Sequence, residues 1–102
     1  MPKLVVLYPQ PTDTETFERR YRDEHGPMVH EKITGLRAFS AGRVVPPPNG
    51  NAPFARIAQL TFDSVQDMEA AMSSADGQAV VAHALEISTG GPITALVVEE
   101  DA

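Results

Sequence analysis

The first strand-length segment of this chain, Leu4-Val5-Val6-Leu7-Tyr8, is apolar on both of its sides. Successive side chains of a strand point to opposite faces, so Leu4, Val6 and Tyr8 share one side and Val5 and Leu7 the other. A strand with one face in water alternates apolar with polar residues, and this one does not. Pro9 and Pro11 end it. The last apolar run, Ile93 to Val98, repeats the pattern, with Ile93, Ala95 and Val97 opposite Leu96 and Val98. A sheet built on these strands has to be covered on both faces.

Between the two strands the chain reads as alternating elements. Asp13 or Thr14 is placed to cap a helix, with Glu15 and Glu18 in its first turn. Phe17, Tyr21 and either Glu24 or His25 then recur at helical spacing, which predicts a helix from about 14 to 25. Gly26-Pro27 should disturb it, because proline lacks a donor and restricts the residue before it. A second short helical stretch, roughly 27 to 33, should stop at Gly35. Leu36 to Val45 reads as a strand, and Pro46 to Pro53 as a stiff polar loop. Phe54 to Phe62 reads as a third strand, with Phe54, Ala58, Leu60 and Phe62 on one side and Arg56 as the exception among them. Ser64-Val65-Gln66-Asp67 resembles a capping box with Asp in place of Glu, and Val65, Met68, Ala71 and Met72 form the stripe of the helix that follows. Asp76-Gly77 is expected to break or kink this helix, which resumes to about Ile87 before Gly90-Gly91-Pro92. The tail Glu99-Glu100-Asp101 is expected to be exposed.

The resulting order is β-α-β-β-α-β, the ferredoxin-like arrangement of two βαβ units. Right-handed crossovers then make the sheet antiparallel and put the helices on one of its faces, an α+β fold. The 102 residues suffice for one domain, 1–102, with a modest core. No segment is left over to cover the second face. A second copy packing sheet to sheet supplies the cover, so a homodimer through the sheet face is expected.

The formal charge of −6 and the interleaving of arginines with acids leave no basic stripe for a phosphate backbone. Nucleic acid and anionic membrane are therefore set aside as partners. No apolar run approaches the roughly 18 residues of a membrane span, and no small-residue cleavage site follows the first apolar run. A cytoplasmic location is expected. With no cysteine, disulfides and thiolate chemistry are excluded. There is no G-x-G-x-x-G, no P-loop and no serine nucleophile elbow, and no cofactor is expected. His25 and His30 are five apart across the Gly26-Pro27 break and do not share a face, so no metal site is expected.

His25 is the first candidate for chemistry. Phe17, Tyr21 and His25 lie at i, i+4 and i+8, along the side of the helix that should face the sheet. A neutral imidazole beside a tyrosine hydroxyl could take a proton from carbon next to a carbonyl, or polarise that carbonyl. The competing reading has His25 cap the disturbed helix through a backbone carbonyl. Tyr21 would orient His25 or bond a substrate oxygen; otherwise it is a core aromatic. His83 shares a face with Val80, Ala84 and Ile87 and could line the same cavity, or bind haem iron axially. Phe17, Phe39 and Tyr8, with Phe54 and Phe62, could wall an apolar site, and equally could be plain core.

The segment Phe17-Glu18-Arg19-Arg20-Tyr21-Arg22-Asp23-Glu24-His25-Gly26-Pro27-Met28-Val29 resembles the signature of the EthD family: a tyrosine four residues before a histidine, then any residue, proline and an aliphatic residue. Lys32-Ile33-Thr34-Gly35-Leu36-Arg37 is similar to that family's Ile-Pro-Gly-Leu-Arg segment, with Thr34 for proline. Leu60-Thr61-Phe62-Asp63-Ser64, Ser74-Ala75-Asp76-Gly77-Gln78-Ala79 and Thr89-Gly90-Gly91 are familiar in order and spacing. The resemblance implies a dimeric α/β barrel. It puts His25 at the family's signature position and adds weight to a functional role there. It implies no particular reaction.

Two functions are carried forward. One is a cofactor-free enzyme acting on a small apolar oxygenated metabolite by proton transfer (isomerase, dehydratase or cyclase) or by oxygenation, with His25 as acid or base and Tyr21 assisting. The other is a non-catalytic metabolite-binding or accessory protein.

Overall fold

Strand β1 (Pro2–Pro9) runs through the middle of a four-stranded sheet in the computed structural model, which describes residues 1–100. Its neighbours are β3 (Phe54–Thr61) on one side and β4 (Thr94–Glu99) on the other, and β2 (Ala38–Arg43) pairs with β3 at the edge. The order is β2-β3-β1-β4 and every pairing is antiparallel. The fold is α+β and ferredoxin-like, as the element order requires. Asp101, part of the expected exposed tail, lies outside the described residues.

Register sorts the side chains into two faces. Leu4 opposes Leu60 and Val97, and Val6 opposes Ala58 and Ala95, so these residues share the face that the helices cover. Tyr8, Ala58, Leu60 and Phe62 are buried beneath Phe17, Val29, Met68, Val80, Ala84 and Ile87, and form the core. Val5, Leu7, Ile57, Leu96 and Val98 occupy the opposite face, where no helix lies. Leu96 is 48% and Val98 41% exposed there.

Helix α1 (Thr14–Arg20) starts at Asp13, whose carboxylate accepts from the Thr16 N–H at 3.1 Å. This bond draws the Asp13 carboxyl below its usual range. Gly26-Pro27 does not break the helix that follows. Instead the helix widens into a π-helical turn over Tyr21–His25, closed by the Gly26 N–H donating to the Tyr21 carbonyl, and continues as α2 (Gly26–Lys32). In a tighter α-helix the Pro27 ring would press on the carbonyl four residues back. The wider turn eases that clash and leaves Pro27 at a helix start, where its missing N–H costs least. Gly35, with φ of +80°, turns the chain toward β2.

The second helical layer also breaks at a different place from Asp76-Gly77. Helix α3 (Val65–Ser73) is capped by the Ser64 hydroxyl, which accepts from the Asp67 N–H. Ser74 then ends α3 and caps α4 (Ala75–Ile87) through the Gly77 N–H. Gly77 is needed for close approach: a Cβ there would stand 2.1 Å from the Ala71 carbonyl oxygen.

Candidate active site

The π-helical turn places Tyr21 and His25 one above the other over the sheet, each only 4% exposed. π-Turns inside α-helices are frequent at functional sites. Tyr8 rises from β1 to meet them. Its ring stands edge-on to Tyr21 at 5.5 Å between centroids, and its hydroxyl lies 3.3 Å from His25 Nε2. The partner of His25 is thus the hydroxyl of Tyr8, and Tyr21 Oη is buried with no hydrogen-bond partner. His25 makes none of the backbone contacts that a capping role would need; both its ring nitrogens bond side chains.

Its second nitrogen, Nδ1, faces Nδ1 of His83 at 2.9 Å, with the ring planes 9° apart. His83 reaches it from α4, and its own Nε2 lies 3.0 Å from Glu24 Oε1. Both nitrogens of His83 are therefore occupied by protein, which leaves no lone pair for axial ligation of haem iron. Arg20 grips the same Glu24 carboxylate at 3.0 and 3.1 Å and also pairs with Glu86.

The environment sets protonation. Burial, with His83 adding to it, lowers the pKa of His25 from 6.5 to about 4, so the imidazole is neutral at neutral pH. Burial pushes the Tyr21 phenol up to about 12, and raises Tyr8 further, with Tyr21 close by. The hydrogen bonds from Arg20 and His83 hold the Glu24 carboxyl below its usual range.

Beside this group lies an apolar cavity of about 110 Å³. Tyr8, Tyr21, His25 and Phe39 line it, with β1 residues Leu4 and Val6 and the α4 residue Val80 among its walls. Of the residues singled out from sequence, Phe17, Phe54, Phe62 and His83 do not line it. Phe17 packs 5.4 Å behind Tyr8, and His83 stands behind His25. His30 is exposed and meets Phe39 edge-on at 5.2 Å. Among the described residues no group of three or more histidines, cysteines or acids is arranged to hold a metal ion.

Two residues passed over in the sequence matter here. Glu24 anchors His83, and its spacing of four from Arg20, which suits an ion pair along one helix face, is the signal the sequence offers. Arg56, the odd member of an apolar strand face, lies with its guanidinium 4.5 Å from the Tyr21 ring centroid and pairs with Glu18, Nε donating at 3.1 Å.

The fold and this site define a ferredoxin-like α+β protein with a tyrosine–histidine group at one end of a small apolar cavity. A family model described as the EthD domain matches residues 9–86, and the chain belongs to the EthD family. It is similar to an ethyl tert-butyl ether d (EthD) family protein from Bacillus halodurans, at 32% identity and a TM-score of 0.90 over 99% of each chain. An EthD-like protein from Ralstonia eutropha shares the fold at 19% identity and TM-score 0.75, covering 96% of this chain and 89% of its own. A dimeric ferredoxin-like protein of unknown function from Jannaschia does so at 13% identity and TM-score 0.71, over 98% of this chain and 100% of its own. No curated protein matches the chain.

Proposed function

We propose that this protein is an enzyme that moves a proton on a small, apolar, oxygenated molecule, with His25 and Tyr8 as the acid–base pair. The observation that carries the reading is the orphaned Tyr21 hydroxyl. It is fully buried, has no partner, and belongs to a residue lining an otherwise apolar cavity. A buried donor left unpaired costs about 1–3 kcal/mol, so such groups call for a partner. A carbonyl or phenolic oxygen of a ligand meets that need. The ligand's carbon skeleton would fill the apolar remainder, and no charged group lines the wall to favour an anionic substrate.

The volume suits one ring. A dry cavity of about 150 Å³ holds benzene, so this one takes a single ring with a small outward adjustment of its walls. With the ligand oxygen on Tyr21, an adjacent C–H faces Tyr8 and His25. Tyr8 Oη, whose own proton can pass to the neutral, desolvated His25 imidazole, then serves as the base toward that C–H, and a positioned acid–base group contributes about 10²- to 10⁴-fold to rate.

The same reading takes 1–102 as one domain working as a homodimer, the Val5, Leu7, Ile57, Leu96 and Val98 faces packed together. The apolar outer face supports this, as does the dimeric description of the Jannaschia protein. A cytoplasmic location fits a chain without cysteine. No helix among the described residues is long and apolar enough to cross a membrane.

The test is deuterium exchange at the α-carbon of single-ring ketones such as cyclohexanone, followed by proton NMR in D2O. The protein should accelerate exchange and His25→Ala should abolish the acceleration. Saturable binding of the ketone with no acceleration would overturn the enzyme reading in favour of a binding protein.

A further inference from the structure

The hydrogen-bonded row continues past the cavity, and its donors can be ordered. A carboxylate only accepts, so the 3.0 Å contact with Glu24 puts a proton on His83 Nε2. With a single proton on that ring, His83 Nδ1 is bare and must accept. The 2.9 Å contact then requires a proton on His25 Nδ1. His25 Nε2 is left bare and accepts from the Tyr8 hydroxyl. Every donor points the same way, from Tyr8 through His25 and His83 to Glu24, and Glu24 is the member of the row that solvent reaches, its side chain 46% exposed.

We propose that this row is a proton path from the cavity to the surface, and that Glu24, clamped by Arg20, sets its direction. The inference rests on the acid–base reading of His25 and Tyr8 given above. Tyr8 Oη takes the proton from substrate carbon while its own proton passes to His25 Nε2. The Nδ1 proton of His25 passes to His83 Nδ1, and the Nε2 proton of His83 passes to Glu24. The substrate keeps the electron pair of the broken C–H bond as an enolate. The negative charge has moved from Glu24 to the substrate oxygen beside Tyr21, and Tyr8 and both imidazoles are neutral before and after. Returning a proton to a different substrate atom runs the row backwards.

Such a path suits this site because a buried imidazolium is expensive. Burial already opposes the charged form of His25. A second proton on His83 would reverse the two inner bonds and leave the one to Glu24 as it is: His83 Nδ1 would give to His25, and His25 Nε2 to Tyr8. The groups that decide this are His25 and Glu24, which face His83 directly, then Arg20 behind Glu24 and Glu86 behind Arg20. His83 and Glu24 are positioning residues; neither lines the cavity.

The deciding measurement is the tautomer of each ring, from long-range proton–nitrogen correlations of the nitrogen-15-labelled full chain at mildly alkaline pH. The proton should sit on Nδ1 of His25 and on Nε2 of His83. In Glu24→Gln the side chain offers either an amide oxygen or an amide N–H to His83, so both rings should become tautomer mixtures. A His25 proton on Nε2 in the unaltered protein, or unchanged tautomers in Glu24→Gln, would overturn the inference. Because Glu24 is exposed, the substitution spares the core. The tautomers are read without turnover, so they decide this inference even where the ketone-exchange assay fails and sinks only the function proposed above. Where exchange is seen, Glu24→Gln should lower its rate by about 10²-fold with ketone affinity unchanged, the lower end of a positioned acid–base contribution.

Discussion

Arg56 spans Tyr21 and Glu18: its guanidinium lies against the Tyr21 ring, and its fork holds the Glu18 carboxylate. An arginine on an apolar strand face is tolerable only with such partners, because an unpaired buried charge is costly. The pair sits at the foot of the π-helical turn and fixes the ring that carries the orphan hydroxyl.

Arg56→Leu should therefore destabilise the protein by about 3 kcal/mol, since it strands Glu18 in a largely buried position. Glu18→Gln combined with Arg56→Leu should recover part of that loss. Urea denaturation measures both. A loss for Arg56→Leu below about 1 kcal/mol would mean that Arg43, 3.6 Å from Glu18, suffices as its partner.

Tyr21→Phe separates stability from function. Removing a buried hydroxyl with no partner should leave the protein as stable as before, or more stable by about 1 kcal/mol. The same change should weaken binding of oxygenated ring compounds about tenfold or more, while binding of the matching hydrocarbons is unchanged. Calorimetric titration with paired ligands, such as phenol against benzene, shows whether the hydroxyl meets a ligand oxygen.

Stability should fall with acid in a window set by His25. Its pKa is 6.5 when free and about 4 when folded, so the unfolded chain binds the proton first as pH drops. The stabilisation is complete above about 6.5, declines as pH falls toward 4, and is gone below the folded value. Over that range the loss is about 3 kcal/mol. Asp13, Asp23, Glu24 and Glu100, all held low by partners, add to the acid sensitivity with the same sign. In His25→Leu the decline should be shallower by the His25 share, as read from urea midpoints across pH.

Leu96→Lys tests the assembly. Leu96 opposes Val5 on the helix-free face, so a charge there would be buried between two sheets in a dimer but solvated in a single chain. Sedimentation should find dimers for the unaltered protein and single chains for the variant. Dimers that persist unchanged in Leu96→Lys would place the interface elsewhere.

Gly77→Ala should cost about 3 kcal/mol, because its Cβ would meet the Ala71 carbonyl and the Met72 backbone, which cannot rotate away. Gly42→Ala, with open space around the site, is the matched control and should change stability little. Thermal melts of the two variants give the comparison.

The sequence by itself determined the element order, the ferredoxin-like topology and the two-sided greasiness of β1, because strand alternation and helical spacing are local properties of the chain. It also brought Tyr21 and His25 to one face, since four residues along a helix is a local distance. Where the first helix yields to Pro27 depends on whether the surrounding packing favours a break or a π-turn, and the structure chose the turn. The second helix pair broke at Ser74, where a capping hydroxyl and a close crossing decide, and not at Asp76-Gly77. Only the tertiary structure decided which hydroxyl meets His25. Tyr8 is 17 positions away along the chain and His83 is 58, so their contacts depend on how β1 and α4 pack against the π-turn, a matter of three-dimensional register that no spacing along the sequence encodes.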